Sequence, residues 1–306
     1  MVNSNNQSTQ TPLKKMSEAQ TDDFLAVVRQ EVAEERFDAS DTQRLQQMVE
    51  CLGDSRGMVR LGFADTLGKI GKPATPFLVD ALTSHPDPVV RRAAAKTLTL
   101  IADPATVSPL VHALLHDEDT VVHGSAVGAL ARIGAAAVPV LLEIIAAPEN
   151  SETTKGHAAW ALAFIGAEAK EYLYQEITSE SAAVRGAVVG AIAKIAQDER
   201  DEQAFKVLIN ALTDEVAMVR IEAAAVLGNI SYAPALPHLL KLLAYADGES
   251  RKAGALALMK IGDATVLTPL QEALTQEAEP AIAQVIKLAI SQIERKLDQD
   301  EEDDWD

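Results

Sequence analysis

The most distinctive chemistry in this chain belongs to a group of aromatic residues around position 160. His157, Trp160 and Phe164 follow one another at spacings of three and four residues, so on a helix they share one face. Gly128 precedes Trp160 and Gly190 follows it, at nearly equal separations along the chain. A glycine inside a helix costs about 1 kcal/mol relative to alanine. Two such glycines therefore indicate that space beside Trp160 is kept open.

Two cations accompany the aromatic residues. Arg132 precedes Phe164 and Lys194 follows it, at the same separations as the two glycines have from Trp160. A pocket with aromatic rings at its base, glycines at its sides and two cations at its edge suits a flat conjugated ligand with carboxylates, such as a tetrapyrrole with two propionates. We therefore predict a ligand site composed of His157, Trp160, Phe164, Gly128, Gly190, Arg132 and Lys194. Alternatively, a one-residue shift in helix phase turns the aromatic rings into packing between helices.

Conventional catalytic motifs are absent from the sequence, which has no P-loop, dinucleotide fingerprint, nucleophile elbow or HExxH helix. His112 and His116 are four residues apart but have no evident third ligand, so we expect no metal centre. His157 is a weak candidate for a proton donor or acceptor, and the alternative is a histidine without chemistry. Whether the protein is an enzyme stays open. We expect binding, or positioning of a reactive ligand, rather than conventional hydrolysis or group transfer.

A repeated segment positions these residues. It reads VRLGFADTLGKIG from Val59, VRRAAAKTLTLIA from Val90 and VRGAVVGAIAKIA from Val184. Its basic position is occupied seven times, by Arg60, Arg91, His123, Lys155, Arg185, Arg220 and Arg251. Successive basic positions are separated by about 30 to 35 residues, and a period in this range predicts a solenoid. We expect the basic column to be structural, bonding caps and carbonyls of the next unit.

Each period contains two apolar runs at helical spacing, so each unit is predicted to be a helical hairpin whose second helix carries the repeated segment. Asp54, Asp87, Asp117 and Asp214 are candidate caps of these second helices. The predicted fold is an all-α, curved superhelix of about eight short hairpins. It occupies residues 22–296, between a disordered tail at 1–21 and an acidic disordered tail at 297–306.

Carrying the first segment's spacing through the array predicts one basic row on the concave face. Its cations are Lys69, Arg132, Lys194 and Lys260. Such a row is either a binding surface or a solvated face. Cys51, the single cysteine, is predicted to be buried, with a transient carrier for a thioether-linked ligand as the alternative.

The repeats resemble the short HEAT-like repeats of the phycobilisome lyase family over about residues 40–296. That family includes bilin lyase subunits, phycobilisome degradation proteins of the NblB type and adaptors unrelated to pigments. The resemblance implies a cyanobacterial protein that binds phycobiliprotein subunits, their bilin (phycocyanobilin), or both on its concave face, and assists chromophore attachment or detachment at a cysteine thioether. The alternative is a non-catalytic adaptor or scaffold for protein–protein interaction.

Composition limits where such a protein acts. The net charge of −18 argues against nucleic acid as a partner. One cysteine excludes a disulfide framework, and the sequence shows no signal-peptide core and no run that approaches about 18 uninterrupted apolar residues. We therefore expect a cytoplasmic protein without a membrane span.

Overall fold

The computed structural model describes residues 16–303, and it describes side chains through residue 299. Within that range the secondary structure consists of seventeen α-helices and seven short 3-10 turns, without a β-strand. The predicted all-α fold is therefore confirmed. The chain divides into two compact units, Met1–Ile133 and Gly134–Asp306.

The first unit consists of one N-terminal helix and three helical hairpins. Its helices are α1 (Glu18–Ala33), α2 (Thr42–Glu50), α3 (Gly57–Ile70), α4 (Thr75–Ser84), α5 (Pro88–Ile101), α6 (Val107–His116) and α7 (Thr120–Ile133). Consecutive helices pair as α2/α3, α4/α5 and α6/α7, and the second helices α3, α5 and α7 lie side by side. The unit is therefore a stack of hairpins, as expected for an α-solenoid.

The second unit contains five more hairpins of the same kind. Its helices are α8 (Val138–Ala146), α9 (Glu152–Ile165), α10 (Lys170–Glu176), α11 (Ala182–Glu199), α12 (Glu202–Ala211), α13 (Ala217–Asn229), α14 (Leu236–Leu242), α15 (Gly248–Ile261), α16 (Leu267–Gln276) and α17 (Pro280–Asp303). The second helices from α9 to α17 pack in sequence order. The predicted number of about eight hairpins is confirmed over the described residues.

Small and branched apolar residues fill the core of each unit. Leu67 and Leu98 are buried on second helices of the first unit, and Leu162 and Ile192 are buried on those of the second. Alanines between them let neighbouring helices approach closely. A Cβ atom added at Gly228 on α13 would lie 2.8 Å from the Ala257 Cα atom on α15. This spacing explains the scarcity of large aromatic residues in the repeats.

The Ile-Gly pair that ends several repeats terminates the second helix. Gly71, Gly134, Gly166 and Gly262 follow α3, α7, α9 and α15, and all four have positive φ angles. Glycine adopts this conformation without the Cβ penalty, and it is the usual residue just beyond a helix end. The glycine of the repeat therefore reverses the chain between hairpins.

The basic column joins successive hairpins. Arg185 donates through Nη1 to the Ser179 carbonyl oxygen at 2.8 Å, and through Nε and Nη2 to the two Asp214 carboxylate oxygens at 2.8 and 2.9 Å. Asp214 belongs to the loop of the next hairpin, whereas Ser179 belongs to the loop of the same hairpin. Three further arginines also donate to a carboxylate of the next hairpin: Arg91 to Asp117, Arg220 to Asp247, and Arg251 to Glu277. Arg220 makes a single contact with its carboxylate, because its Nε atom donates to the Ser250 hydroxyl instead.

These contacts correct two details of the sequence prediction. The carbonyl acceptors come from the arginine's own loop rather than from the next unit, which supplies the carboxylates. Of the four candidate caps only Asp87 directly caps its helix, by accepting from the Val89 N–H. The other three aspartates lie further before their helices. Each accepts from the backbone N–H of the second residue after it, which still precedes the helix: Asp54, Asp117 and Asp214. Lys155 also departs from the column, because it pairs with Glu152 on its own helix.

The ends of the solenoid differ from the predicted bounds. α1 begins at Glu18, where Ser17 caps it, so the helix starts inside the predicted tail 1–21. α17 continues to Asp303 and takes in most of the predicted tail 297–306. Leucine, lysine, glutamine and glutamate are good helix formers, which extends α17 despite its acidity. Residues 1–15 and 304–306 lie outside the described residues, so the disorder predicted there stays a prediction.

The stretch Thr120–Ala146 has the length and composition of a membrane span, with a mean hydropathy of 1.9 over its most apolar window. Half of that window is buried inside the protein. The chain is also interrupted there, since α7 ends at Ile133 and Gly134 has a φ angle of 79°. A single segment of this kind is weak evidence for a span, because core helices meet the same criteria.

Candidate functional site

The predicted aromatic residues lie on the exposed face of α9. Ser151 caps this helix by accepting from the Thr154 N–H, which fixes its start. Trp160 is 52% exposed and Phe164 is 56% exposed, and their ring centres are 5.6 Å apart with the planes tilted by 31°. The alternative, in which the rings pack between helices, therefore does not hold. His157, one turn before Trp160, is half-buried.

Gly190 and Lys194 occupy the neighbouring helix α11 in the same unit. A Cβ atom at Gly190 would lie 3.2 Å from the Glu222 Oε1 atom, so this glycine makes room for a carboxyl group of α13. The Lys194 Cγ atom lies 3.4 Å from the position of a Cβ atom at Gly166, at the end of α9. Lys194 is thus brought to the same end of α9 as Phe164, while its ammonium group pairs with Asp198 at 2.9 Å.

Gly128 and Arg132 lie on α7, in the first unit. A Cβ atom at Gly128 would meet no atom within 4 Å, so the space beside it is open. Arg132 is exposed, and within the described residues it shows no ion pair. Their participation in a site with the aromatic residues of α9 stays a prediction.

The predicted basic row is exposed in both units. Lys69, Arg132, Lys194 and Lys260 are all exposed. Lys69 pairs with Asp65 at 2.8 Å, and Lys260 donates to the Asn229 side-chain oxygen. Three of the four cations thus have polar partners already. Exposed pairs of this kind contribute about 0 to 1 kcal/mol, so an incoming anion can replace them at small cost.

A groove in the second unit was not predicted from the sequence. It has a volume of about 420 Å³ and runs between α9, α11 and α13. Its α9 wall is formed by Gly156, Ala159 and Ala163, one step around the helix from Trp160. The small residues at these positions are the feature of the sequence that could have indicated the groove. Alanine is also the commonest core residue of the repeats, so this feature does not distinguish a groove from a packed core. Burial raises the pKa of Glu222, which lines the groove.

Two further sequence expectations concern cysteine and metals. Cys51 is buried in the first unit, and burial raises the pKa of its thiol to about 11. A thiol with so high a pKa is a poor nucleophile near neutrality, which disfavours the carrier alternative. Within residues 16–303, no three His, Cys, Asp or Glu side chains are grouped in a way that would hold a metal ion.

Comparison with known proteins matches these repeats to a family and to individual relatives. The model of HEAT repeats matches residues 75–163 and 205–291. The bilin biosynthesis protein MpeU of Synechococcus sp. (strain WH8020) is 32% identical over 294 residues, which cover 96% of this chain and 99% of that protein.

Solved structures give likenesses of fold. The CpcE–CpcF complex of phycocyanin lyase from Nostoc sp. PCC7120 matches with 30% identity and a TM-score of 0.44, over 50% of this chain and 98% of that one. The karyopherin Kap121p matches with 15% identity and a TM-score of 0.50, over 92% of this chain and 40% of that one. Together, the repeats and the nearly full-length likeness to MpeU show that this chain belongs to the HEAT-repeat proteins of the bilin lyase family.

Proposed function

We propose that this protein binds a phycobiliprotein subunit together with its bilin chromophore and assists formation of the thioether bond that attaches the chromophore. The observation that carries the proposal is the likeness to the bilin biosynthesis protein MpeU along nearly the whole of both chains. Because that likeness extends over all the hairpins, it concerns the whole solenoid and not one shared repeat.

The exposed face of α9 supplies a binding site of the appropriate chemistry, which we call the bilin site. Trp160 and Phe164 present two aromatic faces to solvent, and exposed aromatic pairs of this size are typical of binding surfaces. A conjugated tetrapyrrole is flat and stacks on such rings, and Lys194 of α11, which lies beside the end of α9, offers a cation to a propionate. These features fit a bilin, and Gly190 is the further residue of this unit that we assign to the bilin site. The roles expected for Gly128 and Arg132 stay predictions from the sequence.

The protein's own chemical role in this proposal is to hold the chromophore in position. His157 lies one turn from Trp160 and is the residue that we assign to proton transfer at the bound chromophore. We place this activity in the cytoplasm, where phycobiliprotein subunits are the partners. The buried, free Cys51 fits such a reducing compartment.

The test is reconstitution from purified components. The protein is mixed with phycocyanobilin alone, and then with apo-phycobiliprotein added. We expect the bilin absorbance to change on mixing and covalent bilin to appear on the subunit in a denaturing gel. Incubation with the finished holo-subunit is the second arm. Loss of covalent chromophore in that arm assigns detachment instead of attachment.

A second candidate function is that of an adaptor without chemistry. Apolar side chains are exposed on second helices of both units, with Met58, Leu61 and Leu100 in the first and Met218 in the second between 50 and 78% exposed. Such residues fit a protein partner that needs no chromophore. Capture of the apo-subunit with no absorbance change and no covalent product would favour this function and contradict the first.

A further inference from the structure

The histidine pair of α6 lies outside the bilin site proposed above. His112 and His116 are separated by one helical turn, and both are exposed. Their ring centres are 4.9 Å apart and the rings are tilted by 53°. Residues at i and i+4 lie one above the other on a helix, so the helix itself holds the two imidazoles together.

This separation is compatible with a shared metal ion. An imidazole nitrogen binds Zn²⁺ at about 2.0 to 2.1 Å, which places the metal about 3.2 Å from each ring centre. For bond angles of about 90 to 110° at the metal, the ring centres are then about 4.5 to 5.2 Å apart. The observed distance falls within that range, so the α6 backbone need not move.

The surroundings of the pair also favour a cation. His116 is the last residue of α6, where the helix dipole is negative. Both histidines line a cavity of about 310 Å³ together with Asp117 and Glu118. Asp117 is already bound in a bidentate contact to Arg91, but Glu118 is exposed. The chain's charge of −18 adds a field that attracts cations.

The other described histidine beside this cavity is engaged elsewhere. His85 accepts the Asp87 N–H at its Nδ1 atom and faces Glu50 with its Nε2 atom at 3.6 Å. Within the described residues, His112 and His116 make no hydrogen bond, and their rings contact each other. Their nitrogen lone pairs are therefore available to a ligand.

We propose that His112 and His116 form a two-histidine chelate for a divalent transition-metal ion of the class that prefers imidazole: Cu²⁺, Ni²⁺ or Zn²⁺. The described residues supply no third ligand, so water completes the coordination and the bound ion exchanges freely. The histidine pair lies on α6, a first helix of the first unit, whereas Trp160, Phe164 and Lys194 of the bilin site lie on α9 and α11 of the second unit.

The experiment is calorimetric titration of the full-length, tag-free protein with NiCl₂ after removal of metal by EDTA. Excess Mg²⁺ is present throughout, since it occupies carboxylates and leaves imidazoles free. We expect one equivalent of Ni²⁺ to bind. His112→Ala and His116→Ala should each weaken binding at least about tenfold, a loss that even indirect metal contacts can cause. His238→Ala, which changes a lone histidine of α14, is the matched control and should bind like the wild type.

Thermal unfolding gives a second readout. A metal held across one helical turn stabilises the folded state, so Ni²⁺ should raise the Tm of the wild type and of His238→Ala but not that of His112→Ala. Absence of Ni²⁺ binding by the wild type in Mg²⁺ would overturn the proposal. So would wild-type affinity in either His112→Ala or His116→Ala. Circular dichroism checks that each variant stays helical, as expected for the exposed His112 and His116 and for the half-buried His238.

Discussion

Single side chains in this protein differ sharply in what they stabilise. Arg185 is almost fully buried and makes bidentate contact with Asp214, whereas Lys194 on the same helix is half-exposed and pairs with Asp198. Both look like basic residues of one helix in the sequence. In the structure the first joins two hairpins and the second lies on a surface that a ligand can reach.

Trp160→Ala tests the exposed aromatic pair. We expect bilin or subunit binding to weaken by about 1 to 3 kcal/mol, since aromatic residues at interfaces commonly carry that much. The far-ultraviolet dichroism and Tm should stay close to wild type, because the side chain is exposed. Titration by absorbance measures the effect. Tyr172→Ala, at an exposed tyrosine of α10, is the control, and equal weakening by it would contradict the assignment.

Arg185→Met tests the basic column. Removing the guanidinium takes two N–H donors from Asp214, which keeps only the Val216 N–H, and one from the Ser179 carbonyl, so we expect a loss of about 3 to 5 kcal/mol in the free energy of unfolding. Lys194→Met removes an exposed pair and should cost about 0 to 1 kcal/mol. Urea unfolding of the two variants measures the difference. Similar losses in the two variants would show that the buried contacts of Arg185 contribute no more to the free energy of unfolding than an exposed pair does.

At the scale of the element, each second helix is shared between neighbours. α7 packs on α6 of its own hairpin and on α5 of the preceding one. Leu130, in its last turn, is fully buried. A defect in one second helix therefore removes packing from two hairpins at once.

Leu130→Pro tests this sharing within the first unit. Proline removes a helix hydrogen bond and clashes with the preceding turn, at a cost of about 3 kcal/mol or more. We expect hydrogen exchange to speed up in α5 and α6 as well as in α7. Thr120→Pro is the matched control, because the first position of a helix tolerates proline, as Pro88 shows in α5. Faster exchange confined to α7 would mean that hairpins open singly.

At the scale of the whole molecule, acidic groups paired with the basic column govern the response to acid. Against the opposing effect of burial, bonds from the guanidinium groups, from backbone N–H groups and, at one carboxyl, first of all from the Ser250 hydroxyl lower the pKa of four carboxyls: Asp117, Asp214, Asp247 (the one bonded by Ser250) and Glu277. A carboxyl whose pKa is lower in the folded state stabilises the fold at pH values above its unfolded pKa. That contribution is lost as pH falls through the folded pKa.

We therefore expect the Tm to be nearly constant from pH 7 to about pH 5 and to fall steeply below about pH 4, where unfolded carboxyls begin to bind protons. Arg185→Met should start from a lower Tm and show a shallower fall, because one of the groups that lower the pKa of Asp214 is removed. Scanning calorimetry over this range measures both slopes. An identical slope in the variant would show that this carboxyl does not contribute to acid sensitivity.

Much of the architecture follows from the sequence alone. The repeat period and the apolar spacing predict hairpins, and the Ile-Gly pairs place the ends of helices α3, α7, α9 and α15, because few residues other than glycine adopt the required φ angle. The exposure of Trp160 and Phe164 also follows from helical spacing, once the face of the helix that packs on the core is assigned correctly. These features depend on contacts within one repeat, which local sequence encodes.

Tertiary packing decided the rest. The sequence shows seven basic positions, but only packing shows that four arginines take a carboxylate from the following hairpin while Lys155 does not. Packing also places Gly190 against Glu222 and opens a groove between α9, α11 and α13. The helical form of 297–303 was likewise missed, since charge predicted disorder there. Apart from this helical segment, these outcomes depend on distances between residues about a full repeat apart. A repeat pattern gives the order of such residues along the chain but not the distances between them in space.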